Sequence, residues 1–194
     1  MTDTPLPAHT ASRNLAGVAH PTRVRILALL RTDGPTTATA LAARLGLNSG
    51  ATSYHLRQLA EHGFVADDPE RGNRRERWWK AAQDSTAPPE EDSLSDDTGL
   101  GVAYLRSVAR VQSEDMQAAV DALPALPVTW RAAFDLSDYA LRLTAEAAAE
   151  LGAELHAVLR RYSADAAPLR SAADGTARVT VQLQMFPDLG DAGR

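Results

Sequence analysis

The 194-residue chain has no cysteine, a single lysine (Lys80) and few aromatic residues, 5% of the total. The first absence removes disulfides, thiolate metal sites and a cysteine nucleophile together, and it fits a cytoplasmic protein. The scarcity of aromatics means that a core must be built mostly from Ala, Leu and Val, which the 44% hydrophobic content allows. No stretch approaches the ~18 consecutive apolar residues of a membrane span. The N-terminal MTDTPLPAHTASRN has neither the basic region nor the apolar run of a secretory signal. A membrane partner is therefore not expected.

What is present is asymmetric. The net charge of −5 looks wrong for a nucleic-acid binder, but the two halves differ in sign. Residues 1–82 hold 11 Lys/Arg against 7 Asp/Glu, a net +4; residues 83–194 hold 9 against 18, a net −9. A basic N-terminal half joined to an acidic C-terminal half is expected of a DNA-binding module fused to something else.

Residues 1–12 read as a tail without periodicity, and a short helix from about Ser12 would turn Leu15 and Val18 inward. Pro21, after His20, suits the first turn of a helix whose residues Val24, Ile26, Leu27, Leu29 and Leu30 must be buried. Asp33-Gly34-Pro35 stops it. Thr36 or Thr37 can cap the next helix, with Leu41 and Leu45 at helical spacing and Gly46 at its end. Asn48 or Ser49 then caps a further helix running to about His62. Leu56 and Leu59 are its inward anchors, and Tyr54 suits either the core or a phosphate contact. Gly63 closes it and Phe64 opens a strand. Pro69, Gly72 and Asn73 are turn residues, so residues 64–67 pair with about 75–81 in a β-hairpin whose tip is studded with arginine. Trp78 and Trp79, adjacent in a strand, face opposite sides.

Four stretches in this order are specific: HPTRVRILALL, LAARLGL, NSGATSYHLRQLAEHGFV and RGNRRERWWK. With them, residues 12–82 resemble the winged helix-turn-helix of ArsR/SmtB-type bacterial transcriptional regulators. The resemblance implies a homodimer, a palindromic operator in double-stranded DNA and, usually, repression. It also implies that the helix after the wing forms much of the dimer interface. Metal-sensing members of that family use cysteines near the recognition helix, or His and carboxylate clusters on the C-terminal helix. This chain has no Cys, and its histidines (His9, His20, His55, His62 and His156) form no such cluster. Neither a metal nor another cofactor is expected.

The chemistry follows from groove geometry. A recognition helix in the major groove meets a distinct donor and acceptor pattern at each base pair. Asn48, Ser49, Thr52 and Ser53 stand near the start of the candidate helix, where short polar groups and the helix dipole favour phosphate. Tyr54 and His55 follow, and Arg57 and Gln58 have the reach for base edges. Thr37, capping the preceding helix, joins the set of candidate DNA-contacting residues. In the wing, Arg71, Arg74, Arg75 and Arg77 could follow the minor groove or bracket phosphates, although Asp67, Asp68, Glu70 and Glu76 offset part of that charge.

Beyond the wing, residues 83–99 hold six acidic residues, two prolines and no basic residue, the composition of a spacer. Residues 100–123 form a helix with an apolar stripe of Leu105, Val108, Val111, Met116, Ala119, Val120 and Leu123. Residues 138–143 and 177–186 alternate like strands on either side of a long helix capped by Thr144. Tyr104, Met116, Trp130, Phe134, Tyr139, Met185 and Phe186 could line a pocket for a small-molecule effector or simply form core. No nucleophile–base pair, phosphate-binding glycine loop or metal spacing appears, so an enzyme is not expected.

The expected architecture is mainly α with a small β content (α+β). A winged helix-turn-helix (13–82) follows a tail (1–12). An acidic linker (83–99) leads to a helical dimerisation region with a small strand-helix-strand unit (100–187), then a short tail (188–194). The expected function is a homodimeric, sequence-specific DNA-binding regulator that does not respond to metal. The competing reading is a protein-interaction module with the winged helix as scaffold and an acidic partner-binding half.

Overall fold

The computed structural model of the chain describes residues 15–71, 76–83, 94, 97–165, 176–188 and 190. The chain divides into two compact units, Met1–Asp121 and Ala122–Arg194.

The first unit opens with a single helical turn, Val18 and Ala19 donating to Leu15 O, that buries Leu15 and Val18. Helix α1, Pro21–Asp33, is capped by His20, whose imidazole accepts from Thr22 N–H; Pro21 occupies the first position, where its missing N–H costs nothing. Strand β1 is two residues, Thr36–Thr37. Thr37 then caps α2, Ala38–Leu45, its hydroxyl accepting from Ala40 N–H at 3.2 Å. The turn out of α2 uses Gly46 in the left-handed region, φ 63°, so that both Gly46 and Leu47 N–H can close on Ala42 O. Asn48 caps α3, Ser49–Glu61, by accepting from Ala51 N–H at 2.7 Å. Strands β2, Val65–Asp67, and β3, Trp78–Ala81, complete an antiparallel sheet of order β1-β3-β2. In its register Thr36 faces Trp79, and Val65 faces Ala81. The α+β winged-helix expectation holds, and β1 is an addition to it.

One core ties these pieces together. Ile26 and Leu30 of α1, Leu41 of α2, Leu56 and Leu59 of α3, Phe64, Val65 and Trp79 pack into a single cluster. Each large side chain fully removed from water there contributes about 1.5–3 kcal/mol. Trp79 is in the core and Trp78 is half-buried on the other side, as strand alternation requires.

Helix α4, Leu100–Ala122, joins this unit. Leu100 and Tyr104 lie against the core cluster, and Val111 is buried. Arg25 of α1 reaches across to Glu114 at 2.6 Å and Asp115 at 3.1 Å. Arg110 and Arg25 both donate to Glu114, holding its carboxyl below the usual range. The sequence reading grouped this helix with residues 100–187; its contacts through residue 121 group it with the helix-turn-helix.

The second unit holds a short 3-10 turn, Leu123–Ala125, then α5, Val128–Ala132, and α6, Ala145–Asp165, capped by Thr144 accepting from Ala147 N–H. Met185 lies close over Gly152 of α6. Among the described residues, the two expected strands at 138–143 and 177–186 do not form, so the strand-helix-strand unit is corrected to a helix flanked by irregular segments. Their alternation marks a face that seeks cover, yet Tyr139, Leu141, Val179 and Val181 remain exposed. Two strands beside one helix bury too little to hold a sheet together. Tyr139 and Phe186, which could have lined an effector pocket or formed core, are both exposed, so neither alternative holds at those residues. Among the described residues, no helix is long and apolar enough to cross a membrane.

Candidate nucleic-acid interface

Helix α3 is presented by its own phase. Thr52, Leu56 and Leu59 point into the core and fix the rotation of the helix. The opposite side then carries Gly50, Tyr54, Arg57 and Glu61, all exposed. Tyr54, at 52% exposure, is therefore not an inward anchor. Arg57 Nε donates to Ser53 O at 3.2 Å, which directs its guanidinium along the helix surface. Gln58 Nε2 donates to Glu61 Oε2 at 3.0 Å, leaving the amide oxygen of Gln58 to act as an acceptor.

Beside this face lies an open groove of about 270 Å³, bordered by Thr37, Ala38 and Thr39 at the start of α2, Ser53 and Arg57 of α3, and Glu76, Arg77 and Trp79 of the wing. A helix start, a hydroxyl and two guanidinium groups favour a phosphate there, and the Glu76 carboxylate opposes it. The wing arginine is held in place from two sides. The Arg77 guanidinium carbon is 4.1 Å from the centroid of the Trp79 ring, and Nε is 3.0 Å from Asp67. Arg71 lies more loosely over Trp78, at 6.0 Å, and 3.8 Å from the Asp68 carboxylate.

The residues singled out from sequence divide accordingly. Ser53, Arg57 and Arg77 border the groove; Tyr54, exposed, and Gln58, half-buried, lie outside its lining, and Arg71 stands further along the wing. Asn48 is exposed with its side-chain oxygen committed to the cap, and Ser49 is exposed beside it. Thr52 is withdrawn from the set: it is fully buried, with its hydroxyl donating to Asn48 O. Thr37 is buried too but is among the residues that line the groove. His55 turns sideways, its ring 4.8 Å from that of His20. Burial first, then His20 and Arg23, hold its pKa below the ordinary value. Arg74 and Arg75 lie outside the described residues. Thr39, Glu61 and Trp79 were missed. Counting helical positions from Leu56 and Leu59 would have placed Glu61 outside; the position of Thr39 within the groove needed the tertiary fold.

Residues 18–67 match a helix-turn-helix domain family. The match begins at buried Val18 and ends with β2, so it covers the two helices of the motif and the helix that supports them. A helix-turn-helix points to DNA-binding transcriptional regulation rather than to an enzyme. Comparison with curated proteins finds no match.

Proposed function

We propose that the protein is a cytoplasmic, homodimeric bacterial repressor of the ArsR/SmtB type that reads a palindromic operator and does not respond to metal. The groove shared by α3, the start of α2 and the wing carries this reading. It sets Ser53, Arg57 and Arg77, with Glu76, around one open space with room for a phosphate, while Tyr54 is exposed on the same helix. With α3 in the major groove, this space takes a backbone phosphate and fixes the register, and the outward face reads base edges. Ser49 and Arg71 flank that contact, and Arg74 and Arg75 remain candidates on sequence grounds alone.

Dimerisation is supported by α4. Val102, Leu105, Ala109, Met116 and Val120 form an exposed apolar seam at spacings of three, four, seven and four residues, the pattern of one helix packing on another. A second copy covering it would bring two recognition helices to half-sites about one helical turn apart. Footprinting across the promoter of its own operon tests the proposal. A protected inverted repeat is the expected result, and binding no tighter than to random DNA at physiological salt would overturn it.

A further inference from the structure

His20 and His55 come from different elements and meet ring to ring, 4.8 Å apart and tilted by 40°. Each has a reason to stay neutral. His20 Nδ1 accepts from Thr22 N–H at 3.1 Å and so caps α1. An imidazole nitrogen accepts only while it carries its lone pair, so the cap requires the tautomer with its proton on Nε2. Protonation turns Nδ1 into a donor aimed at another donor, and sets a positive charge at the positive end of the helix dipole. His55 Nδ1 is buried and has no hydrogen-bond partner; neither has the buried Arg23 Nε nearby. A charge on His55 would leave an N–H unsatisfied and out of reach of water.

The surroundings add only positive charge. Arg23 of α1 and Arg110 of α4 face His20, and Arg23 and His20 face His55. Arg23 itself donates to Ala16 O. On α4, Glu114 is taken by Arg110 and Arg25, and Asp115 by Arg25. Among the described residues no carboxylate lies within ion-pair distance of either imidazole. On α3, Tyr54 meets the His55 ring edge-on at 5.5 Å, so the pair adjoins the outward-facing surface of the recognition helix.

We propose that His20 and His55 form an acid-sensitive latch that holds the recognition helix against the start of α1 while both rings are neutral and releases it when they take up protons. Both pKa values lie below the ordinary histidine value, through partial loss of hydration first and then the neighbouring cations. The folded state therefore binds fewer protons than the unfolded chain. The latch's stability is complete above about pH 6.5 and is lost as pH falls through the lowered values of the folded protein. Rested on the DNA-binding reading, this makes operator affinity fall with acid. Net charge alone works in the opposite direction, because a more positive protein binds DNA more tightly.

The test compares the full-length protein with a His20→Asn, His55→Gln double variant, Asn being a strong capping residue that does not titrate. Thermal melting and imidazole NMR titration are followed from about pH 7.5 to about pH 5.5. Fluorescence anisotropy over the same range uses a duplex carrying the footprinted promoter site. The expected result is a melting temperature that drops with acid far more in the wild type than in the variant. Wild-type affinity should weaken by roughly threefold or more while the variant's holds or rises. If the double variant does not fold, His20→Asn alone carries the comparison. Parallel melting curves, or either ring titrating at or above its ordinary value, overturn the latch. If the duplex is not bound even at about pH 7.5, the DNA-binding reading fails, and melting and titration still decide on the latch.

Discussion

Arg77 stacks on Trp79 while its Nε holds Asp67 at 3.0 Å. Trp79 is a core residue, so the wing's guanidinium rests on the same side chain that joins the sheet to the helices. If Arg77 contacts DNA as proposed, a long flexible arginine that is already partly ordered would lose less entropy on binding. Arg77→Ala should weaken binding to specific and random duplexes alike and lower the salt slope of log K by about 0.9, the value for one phosphate contact. Asp67→Asn should act in the opposite direction, because the carboxylate that competes for Arg77 is gone. Anisotropy titrations at several salt concentrations read both.

Thr52 gives a different kind of prediction. Its place near the start of the recognition helix suggests a DNA contact, but the side chain is fully buried with its hydroxyl bonded to Asn48 O. Thr52→Val keeps the shape and removes that bond, so stability should change by only about 1 kcal/mol. DNA affinity measured well below the melting temperature should be unchanged, while Arg57→Ala in the same assay should lower it.

These two residues show where sequence reasoning succeeds and where it stops. Stops and caps are local chemistry: Pro21, Gly46 and Asn48 do what their backbone and side-chain preferences dictate, whatever surrounds them. The helical phase of α3 is also local once Leu56 and Leu59 are recognised as inward, and Tyr54 then has to face out. Thr52 is less transparent, because only the packing of α1 and α2 around α3 decides that a hydroxyl sits in the core. Strand β1 is two threonines whose extended state comes from pairing with Trp78 and Trp79, more than forty residues away. The segments at 138–143 and 177–186 err in the other direction. Their alternation expresses a preference for burial, and nothing in a short sequence window shows whether the chain supplies a partner for it.

The turn between α2 and α3 should be sensitive for backbone reasons. Gly46 sits at φ 63° with open space around its Cα, so Gly46→Ala meets no neighbour and costs only the left-handed penalty, about 1–2 kcal/mol. Asn48→Ala removes the cap on α3 and costs about 1 kcal/mol. Both should lower the melting temperature, by about 2–8 °C for each kcal/mol. Combined, their effects should not simply add, since the two residues share one tight turn.

The α4 seam separates a dimer from a monomer with greasy patches. Leu105 and Met116 are 43% and 37% exposed; Leu105 lies between the buried Gly101 and Ser107, and Met116 lies beyond the buried Val111. Glutamate at either position can be fully solvated in a single copy, so Leu105→Glu and Met116→Glu should leave the melting of the monomer fold nearly intact. In a dimer the same charges would be forced into an apolar contact, one from each copy and close to the two-fold axis, where they repel and lose their hydration. Sedimentation equilibrium should show the wild type as a dimer and the double variant as a monomer. Operator affinity should fall by roughly 10²-fold or more, because two linked half-site contacts become one. A wild type that sediments as a monomer, or a double variant that keeps both its mass and its affinity, would show that the seam is not where two copies meet.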